Sequence, residues 1–434
     1  MKKVLIFLLC SFFSIAIVSC QSDKLKTENR TSGNTQEEQP QIDWDVNTAT
    51  ATVTIDNWKY SLEKNNDKNS VRIRNIEYAG NIDSTELSLT IPYKFDGLKV
   101  SSVGQRPKDK DESQEFKDSM FGVTVEAPQG ISGENELTKK ITKISLPDGI
   151  ETIENCAFSG LTNLKEIKLP DNLSSMGSLA FYGCKNLERV IIPEKLAAFP
   201  PDAFEECDKL LDIQVSENNS NLYDKDGFVI TKADSKLIYA ISDKEKMDIP
   251  DGVKALGEEA MKYSKARTIH LPASVTRIER EALSAPGVEN IDVNENNPAF
   301  AKDGHCLYGK KDKELIAVEY VDGQLEVSPK VLRIDENAMS VGVNKKVKRV
   351  IIGKNVKELA GCWLDCFQRP LEYETKEYEF RGTTPPKITN VSSHNSVIPM
   401  FCTIYVPDGT IKQYTRWIKK YGGALNTKVK CNNS

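Results

Sequence analysis

The sequence predicts a repeat solenoid, a β-rich stack of short coils joined by short helical turns. The first observation is a period: the prolines Pro147, Pro170 and Pro193 lie 23 residues apart. The second is that an Ala-Phe pair recurs at the same spacing, with its aromatic residue at Phe158, Phe181 and Phe204. The third is length, because one such copy is too short to form a core and must stack on its neighbours.

The chain begins with a segment typical of a secretory signal. Lys2 and Lys3 precede an apolar run of 15 residues from Val4 to Val18. A membrane span needs about 20 apolar residues, whereas a signal peptide is shorter and begins with basic residues. We therefore interpret residues 1–19 as a signal peptide.

The end of this segment resembles the bacterial lipobox. Its sequence Ile17-Val18-Ser19-Cys20 is a relaxed form of that motif, because Ile17 replaces the usual leucine. The resemblance implies cleavage before Cys20 and acylation of that cysteine, and two or more acyl chains would hold the protein stably on a membrane. Residues 20–41 are too polar to order themselves and are interpreted as a tether. The alternative is a soluble secreted protein in which Cys20 is not modified.

Residues 42–85 precede the repeats and have the pattern of β-strands. Apolar residues alternate with threonine from Ala49 to Ile55, and Trp58-Lys-Tyr60 and Val71-Arg-Ile73 alternate in the same way. An open solenoid exposes its core at both ends unless it is capped. We interpret residues 42–85 as a β-rich N-terminal cap, and a small separate domain is the alternative.

Residues 86–425 are predicted to form the solenoid. In the copy that begins at Leu164, the apolar residues Leu164, Ile167 and Leu169 face inward. Pro170 ends the strand because proline cannot donate to a β-ladder. The outward positions of this copy are Lys165, Glu166 and Lys168.

Two similar insertions interrupt the array, near residues 216–246 and 294–324. Each contains an Asn-Asn pair and then Asp-Gly followed by two short apolar runs, with the turns at Asp226-Gly227 and Asp303-Gly304. Asp-Gly between apolar runs is a strong signal for a β-hairpin. We expect both hairpins to project from one edge of the solenoid.

These signals together resemble the BspA-type, or Treponema-type, bacterial leucine-rich repeat. The resemblance rests on the recurring order of strand, Leu-Pro, Asp-Gly, Ile, Ala-Phe and Gly-Cys, and it covers roughly residues 85–425. The segment near 383–425, with Tyr414-Thr-Arg-Trp417, is similar to the terminal repeat of such arrays, where a strand and a short helix close the stack. The charged stretch from Gln105 to Lys140 and residues 340–400 depart from the pattern. The resemblance implies a cell-surface binder.

The cysteines divide into two groups. Cys184 and Cys207 occupy equivalent repeat positions, and Leu161 stands at that position in the preceding copy. A position shared by leucine and cysteine is a buried apolar one, so both are predicted core thiols. The irregular C-terminal part holds the disulfide candidates, whose pairing the sequence leaves open: Cys362, Cys366, Cys402 and Cys431.

Motifs of enzymes and metal sites are missing from the sequence. His270, His305 and His394 are far apart and lack zinc-ligand spacing. Cys362 and Cys366 have no second ligand pair at a matching distance. Nucleophile-elbow, dinucleotide-binding and P-loop patterns do not occur. We therefore expect no catalytic residue, no metal and no cofactor, and we predict that the protein is not an enzyme.

Basic side chains on the outward side of the strands form the candidate binding face. The net charge of −5 and pI near 5.6 disfavour nucleic acid as a partner. Stacked strands lie about 4.8 Å apart, so basic residues on successive coils would form a stripe that attracts an anionic partner. The alternative is a solvated face neutralised by nearby acids such as Asp212 and Asp248. The candidates are Lys143, Lys165, Lys168, Arg189, Arg267, His270, Lys348 and Arg349.

Two functions follow. The first is a monomeric surface protein that binds a macromolecule, as the family resemblance implies, by adhesion to host or matrix protein. Exposed aliphatics at Ile191, Leu211 and Ile351 favour a protein contact. The second is a glycan-capture lipoprotein of a nutrient-uptake system, binding an acidic glycan, with candidate aromatic platforms at Tyr223, Tyr239, Tyr308 and Tyr320. In both, the outer membrane is contacted only through the lipid anchor, with surface exposure favoured over the inner leaflet.

Overall fold

The fold is taken from a computed structural model. It describes residues 41–67, 69–82, 86–104, 124–126, 130–132, 136–285, 287–334, 338, 347–360, 375–389, 402–421 and 427–432. These residues belong to one of two compact units of the chain, Pro40–Ser434. The signal peptide, Cys20, the tether up to residue 40, Cys362, Cys366 and His394 lie outside the described residues, so their predictions stay predictions.

The N-terminal strands form a meander that joins the first coil. They are β1 (Thr50–Ile55), β2 (Trp58–Lys64), β3 (Ser70–Tyr78), β4 (Leu87–Thr90), β5 (Lys94–Phe95) and β6 (Leu98–Val103). Strands β1 to β3 are antiparallel, and β3 then pairs in parallel with β6. Arg72 of β3 is buried, and its Nε donates to Ser102 Oγ at 3.2 Å. Its Nη2 forms an ion pair with Glu154 Oε1 at 3.1 Å. A buried charge needs such partners, and here they tie the meander to the repeats.

The next coils contribute one strand to each of two sides. The elements are β7 (Thr124–Glu126), β8 (Gly130–Ser132), α1 (Glu136–Lys140), β9 (Ile141–Ser145), β10 (Thr152–Ile153), β11 (Glu166–Lys168), β12 (Ser175–Met176), β13 (Arg189–Ile192), a 3₁₀ turn (Pro201–Phe204) and β14 (Asp212–Val215). We call the side with β4, β9, β11, β13 and β14 the front. The back side holds β6, β10 and β12. Hydrogen-bonded neighbours within each of these sets are parallel, as stacked coils require.

The first insertion forms three strands, and the regular coils then resume. The elements are β15 (Leu222–Lys225), β16 (Phe228–Thr231), β17 (Lys236–Ala240), β18 (Lys246–Asp248), β19 (Ala255–Leu256), β20 (Thr268–Leu271), β21 (Arg277–Ile278) and β22 (Asn290–Val293). Strands β15 to β17 are antiparallel, but β17 pairs in parallel with β19 of the back side. The expectation that this hairpin projects from an edge is therefore wrong, because its last strand is part of the back sheet.

The C-terminal third repeats this arrangement. The elements are β23 (Phe300–Asp303), β24 (Cys306–Gly309), β25 (Glu314–Val318), β26 (Gly323–Glu326), β27 (Arg333–Ile334), β28 (Val347–Ile352), β29 (Glu358–Ala360), β30 (Glu377–Phe380), β31 (Lys387–Thr389), β32 (Thr403–Val406), α2 (Ile411–Lys420) and β33 (Lys428–Cys431). The second insertion again ends in a strand, β25, that pairs in parallel with a back strand, β27. The front strands here are β26, β28, β30, β32 and β33.

The core is a column of stacked side chains between the two sides. The rings of Phe158, Phe181 and Phe204 are stacked with centroids 5.3 and 5.5 Å apart and planes at 12°. Cys184 and Cys207 are buried, and each donates its S–H to the carbonyl of the phenylalanine 26 residues earlier, at 3.3 and 3.2 Å. The prediction that both are core thiols is confirmed.

A buried asparagine fixes the start of each insertion. Asn219 donates from Nδ2 to the carbonyls of Pro193 and Leu196 at 2.7 and 2.9 Å. Its Oδ1 accepts from two backbone N–H groups of the following turn, those of Asn221 and Leu222. Asn297 makes the same four bonds in the second insertion. The Asn-Asn motif thus binds the insertion to the coil beneath it.

Helix α2 covers the C-terminal end of the repeat array, and β33 is the last strand of that array. Tyr414 Oη donates to the Gly382 carbonyl and Trp417 Nε1 to the Pro386 carbonyl, both at 2.8 Å. Strand β33 pairs with β32 and presents two exposed side chains, Lys428 and Lys430. The sequence predicted a final strand and a short helix in this segment, and the structure has both.

Candidate binding face

The front side places residues of equal repeat position in rows that run across the strands. Glu166 of β11 lies beside Arg189 of β13, which lies beside Asp212 of β14. Arg189 Nε donates to Asp212 Oδ2 at 2.6 Å. Charges of alternating sign thus follow one another along this row, which neutralises its basic member.

Most of the predicted basic stripe is neutralised in the same way. Arg267 pairs with Glu289 at 3.2 Å, and Lys168 pairs with Asp171 at 3.5 Å. His270 is half-buried, and its neighbours in register are both aspartates, Asp248 and Asp292. The stripe is therefore not continuous, because the repeat brings acids beside the bases.

Lys143 and Lys165 differ from the other candidates. Both are exposed, and no carboxylate of the described residues lies within ion-pair distance of either ammonium group. They border a shallow concavity of about 680 Å³ at the first coils of the front side. The lining residues carry both signs: Glu86, Thr142, Lys143, Lys165, Glu166, Glu188, Arg189 and Asp212.

Lys348 and Arg349 lie on β28, the second strand of the last group of front strands. Lys348 is exposed, whereas Arg349 is half-buried between Glu377 and Glu379, at 3.2 and 2.7 Å. The Arg349 guanidinium also lies 4.9 Å from the ring centre of Tyr405, within cation–π distance. Arg349 is therefore part of an internal network.

One exposed aliphatic was predicted wrongly. Ile351 occupies an outward position of β28 but is only 2% exposed. Its neighbours in register are Glu326 and Glu379, and Arg381 forms ion pairs with both. The Arg381 side chain therefore extends across the strand that carries Ile351. By contrast, Ile191 and Leu211 are 43% and 45% exposed, as expected.

The tyrosine candidates divide in two. Tyr239 and Tyr308 are 1% and 4% exposed, so they are core residues and cannot stack on a glycan. Tyr223 and Tyr320 are half-buried. The prediction of an aromatic platform is thus wrong for Tyr239 on β17 and Tyr308 on β24.

Sequence reasoning missed a crevice of about 340 Å³ between β14 and the coil that contains β18. Its walls include Phe204, Tyr239 and Tyr263, and Leu211 lies at the same site. No local sequence pattern predicts this crevice, because the crevice depends on how the first insertion separates two coils.

Metal and membrane features were sought in the part of the chain that the structure describes. There, no group of three or more His, Cys, Asp or Glu side chains is arranged to hold a metal ion. In the same part, none of the helices has the length and apolar character needed to cross a membrane.

Comparison with known proteins identifies the repeat. The model of the BspA type leucine rich repeat region matches six copies, over residues 136–228 and 229–304. No curated protein matches the chain.

Among solved structures, a leucine rich cell surface protein from Faecalibacterium prausnitzii is 16% identical, with a TM-score of 0.30, covering 76% of this chain and 94% of its own. The pneumococcal vaccine antigen PcpA is 15% identical, with a TM-score of 0.30, covering 88% and 98%. A leucine-rich repeat protein from Bacteroides ovatus is 13% identical, with a TM-score of 0.28, covering 87% and 99%.

The matched residues contain the prolines, the Ala-Phe pairs and the first insertion, and the structure stacks them into parallel coils. Residues 136–304 of this chain are therefore a leucine-rich repeat region of the BspA type.

Proposed function

We propose that the protein binds a protein partner through the front side of its repeats. The observation that carries the proposal is the combination of two exposed aliphatic side chains, Ile191 and Leu211, with rows of mixed charge around them. Interfaces between proteins combine an apolar centre with a polar rim, and a stacked sheet is already ordered before it binds.

The charges of the front side favour a protein over an acidic glycan. A polyanion needs a continuous positive surface, but Arg189, Arg267 and Arg349 are each paired with a carboxylate. Lys143 and Lys165 remain available to meet acidic side chains of a partner. Alternating charges also fix the register in which a complementary protein surface can dock.

Binding, and not catalysis, is the activity that this side supports. Its titratable groups lie on an open sheet, where solvent screens their charges, and Arg189, Arg267 and Arg349 are held in ion pairs. Catalytic groups need instead to converge on a reacting atom in an enclosed site. We therefore propose neither substrate nor cofactor for the front side.

The test is an array of matrix proteins and acidic glycans probed with the mature chain. We expect retention by a protein spot, and at least a tenfold loss of affinity in Leu211→Asp, because truncating a central contact costs about 1.4 kcal/mol or more. Leu332→Asp is the matched control, since Leu332 is 39% exposed and precedes β27 of the back side. Retention by glycans without any protein would overturn the proposal.

Lys165 and a lysine of the back side provide a second pair of variants. Lys165→Glu should slow association with the partner, with an effect that shrinks as salt is raised. Lys357→Glu is its control, because Lys357 is exposed and precedes β29 of the back side. Equal effects of both substitutions would place the contact elsewhere.

We also propose that Cys20 carries a lipid that holds the protein on the outer membrane with the repeats displayed outside. The supporting observation is the lipobox-like sequence before Cys20 together with a polar tether. Labelling of cells with radioactive palmitate should mark the wild type and not Cys20→Ala. Protease treatment of intact cells should remove the repeats, and their full protection would contradict surface display.

A further inference from the structure

The C-terminal end of the chain carries a charge opposite to that of the rest. Residues 403–434 contain six basic side chains and one acidic side chain, Asp408, and therefore have a net charge of +5. Because the whole chain has a net charge of −5, the residues before them carry −10. We call the six basic residues the basic cap: Lys412, Arg416, Lys419 and Lys420 of α2, and Lys428 and Lys430 of β33.

Helix α2 presents its four cations on one face. From Lys412 they occupy positions i, i+4, i+7 and i+8, which lie on one side of an α-helix. All four are exposed, whereas the opposite face of the helix, with Tyr414, Trp417 and Ile418, is buried in the core. At a rise of about 1.5 Å per residue, the row of cations from Lys412 to Lys420 is about 12 Å long.

The cations of the basic cap are not neutralised. Among the residues that the structure describes, no carboxylate lies within ion-pair distance of any of the six. Lys420 Nζ lies 5.0 Å from the ring centre of Tyr421, a contact that leaves the charge in place. The front side differs, because Arg189, Arg267 and Arg349 are each paired there with a carboxylate. The basic cap therefore offers the positive surface that the front side lacks.

The stability of helix α2 does not explain this arrangement. Lys412 lies in the first turn, which has no acidic side chain and where the helix dipole disfavours a cation. Arg416 is four residues from both Lys412 and Lys420, and like charges at that spacing destabilise a helix. The dipole favours cations only in the last turn, at Lys419 and Lys420. An anion bound along the row would remove the repulsion.

The chemistry of the basic cap favours one kind of anion. Peripheral binding to a bilayer relies on inserted apolar side chains as well as charge, but the apolar face of α2 is buried. Recognition of nucleic-acid phosphates favours the forked guanidinium of arginine, whereas five of the six cations are lysines, which act as point charges. Carboxylates or sulfates spaced along a flexible chain need only point charges. The −10 charge of the remaining residues confines such a chain to this end of the protein.

We propose that the basic cap binds an acidic polysaccharide that carries uronate carboxylates or sulfate esters. These groups form exposed ion pairs with the ammonium and guanidinium groups of the cap. The site is separate from the front side, so it supplies a second ligand in addition to the protein partner of the proposed function.

The experiment titrates heparin, polygalacturonate and neutral dextran into the mature chain with Cys20→Ala, which cannot be acylated at that position. We expect at least one of the two polyanions to bind and dextran not to bind, with an affinity that falls as salt is raised. Lys412→Gln with Lys419→Gln should weaken the binding of that polyanion about tenfold, because two exposed ion pairs are lost. Binding of neither polyanion, or an unchanged affinity in this double variant, would overturn the proposal.

Two further double variants serve as controls. Lys143→Gln with Lys165→Gln removes the same charge from two exposed lysines of the front side and should leave polyanion binding unchanged. Equal weakening by both glutamine pairs would show that the polyanion responds to net charge and not to the basic cap. Lys412→Arg with Lys419→Arg keeps the charge and should keep the affinity, and its loss would contradict binding by charge.

Competing anions and the front side are tested separately. Tighter binding of phosphatidylglycerol vesicles or of duplex DNA than of either polysaccharide would overturn the choice of ligand. Leu211→Asp, which tests the proposed function, should leave polyanion binding intact. Either proposal can therefore fail while the other stands.

Discussion

At the scale of single residues, the side chains of the buried asparagines Asn219 and Asn297 each make four hydrogen bonds. Asn219→Ala would leave two carbonyls and two N–H groups unpaired inside the protein. We expect a loss of about 4 kcal/mol or more in the free energy of unfolding, since four buried groups are orphaned and each costs about 1 kcal/mol or more. Urea unfolding measures this loss. Asn172→Ala, which removes two exposed bonds, one donated to the Asp148 carbonyl and one accepted from Lys195 Nζ, should cost far less. Equal losses would contradict the role given to Asn219.

The buried thiols make a second prediction at this scale. Burial raises the pKa of Cys207 well above its usual value and that of Cys306 to about 11. Since only the thiolate is nucleophilic, neither should react with iodoacetamide near pH 8 while the protein is folded. Both should react in concentrated guanidinium chloride, as peptide mass spectrometry would record. Labelling of Cys207 in the folded protein would show that it is not a core residue.

At the scale of elements, the network on strands β26, β28 and β30 predicts a response to acid. Burial alone would raise the pKa of Glu379, but hydrogen bonds from Arg381 and Arg349 lower it overall. A lowered pKa means that folding favours the ionised carboxylate. The stabilisation is therefore complete above the ordinary glutamate pKa of about 4.3 and is lost as the pH falls through the lower value in the folded protein.

Glu379→Gln tests this network. The difference in urea midpoint between pH 7 and about pH 3.5 should be smaller in Glu379→Gln than in the wild type, because one of the linked carboxylates is gone. Glu188→Gln, on the exposed front side, is the control and should keep the wild-type difference. An unchanged difference in both variants would show that the network does not contribute to acid sensitivity.

The sequence predicts some of these elements better than others. The inward positions and the charge row were readable, because Glu166, Arg189 and Asp212 are 23 residues apart and therefore adjacent in a stack. The burial of Ile351 could not be predicted from the sequence, because it depends on the side chain of Arg381, which belongs to a neighbouring coil. The pairing of β17 with β19 likewise depends on where the meander folds back, for which no local pattern exists.

At the scale of the whole molecule, the two insertions divide the front side into three blocks of strands. They are β4, β9, β11, β13 and β14, then β18, β20 and β22, and then β26, β28, β30, β32 and β33. In a repeat array, stability is passed between nearest neighbours only. The first boundary is bridged by Tyr263, whose Oη donates to Glu205 Oε2 at 2.8 Å, and by Lys265, whose Nζ donates to the Asp208 carbonyl at 2.9 Å. The crevice of about 340 Å³ lies at this boundary. It could not be predicted from the sequence, because it depends on how two coils are placed and not on the pattern of either one.

The last strand has a further consequence for assembly. Strand β33 is paired on one side by β32, and a stack of parallel coils has no inherent length, so a second molecule could add its β4 and polymerise head to tail. The positive side chains of Lys428 and Lys430 oppose such growth. Sedimentation velocity should detect filaments for the double substitution Lys428→Val with Lys430→Val, but not for Lys412→Val with Lys419→Val on α2. In that case, the charges of Lys428 and Lys430 are what prevents the protein from assembling into filaments.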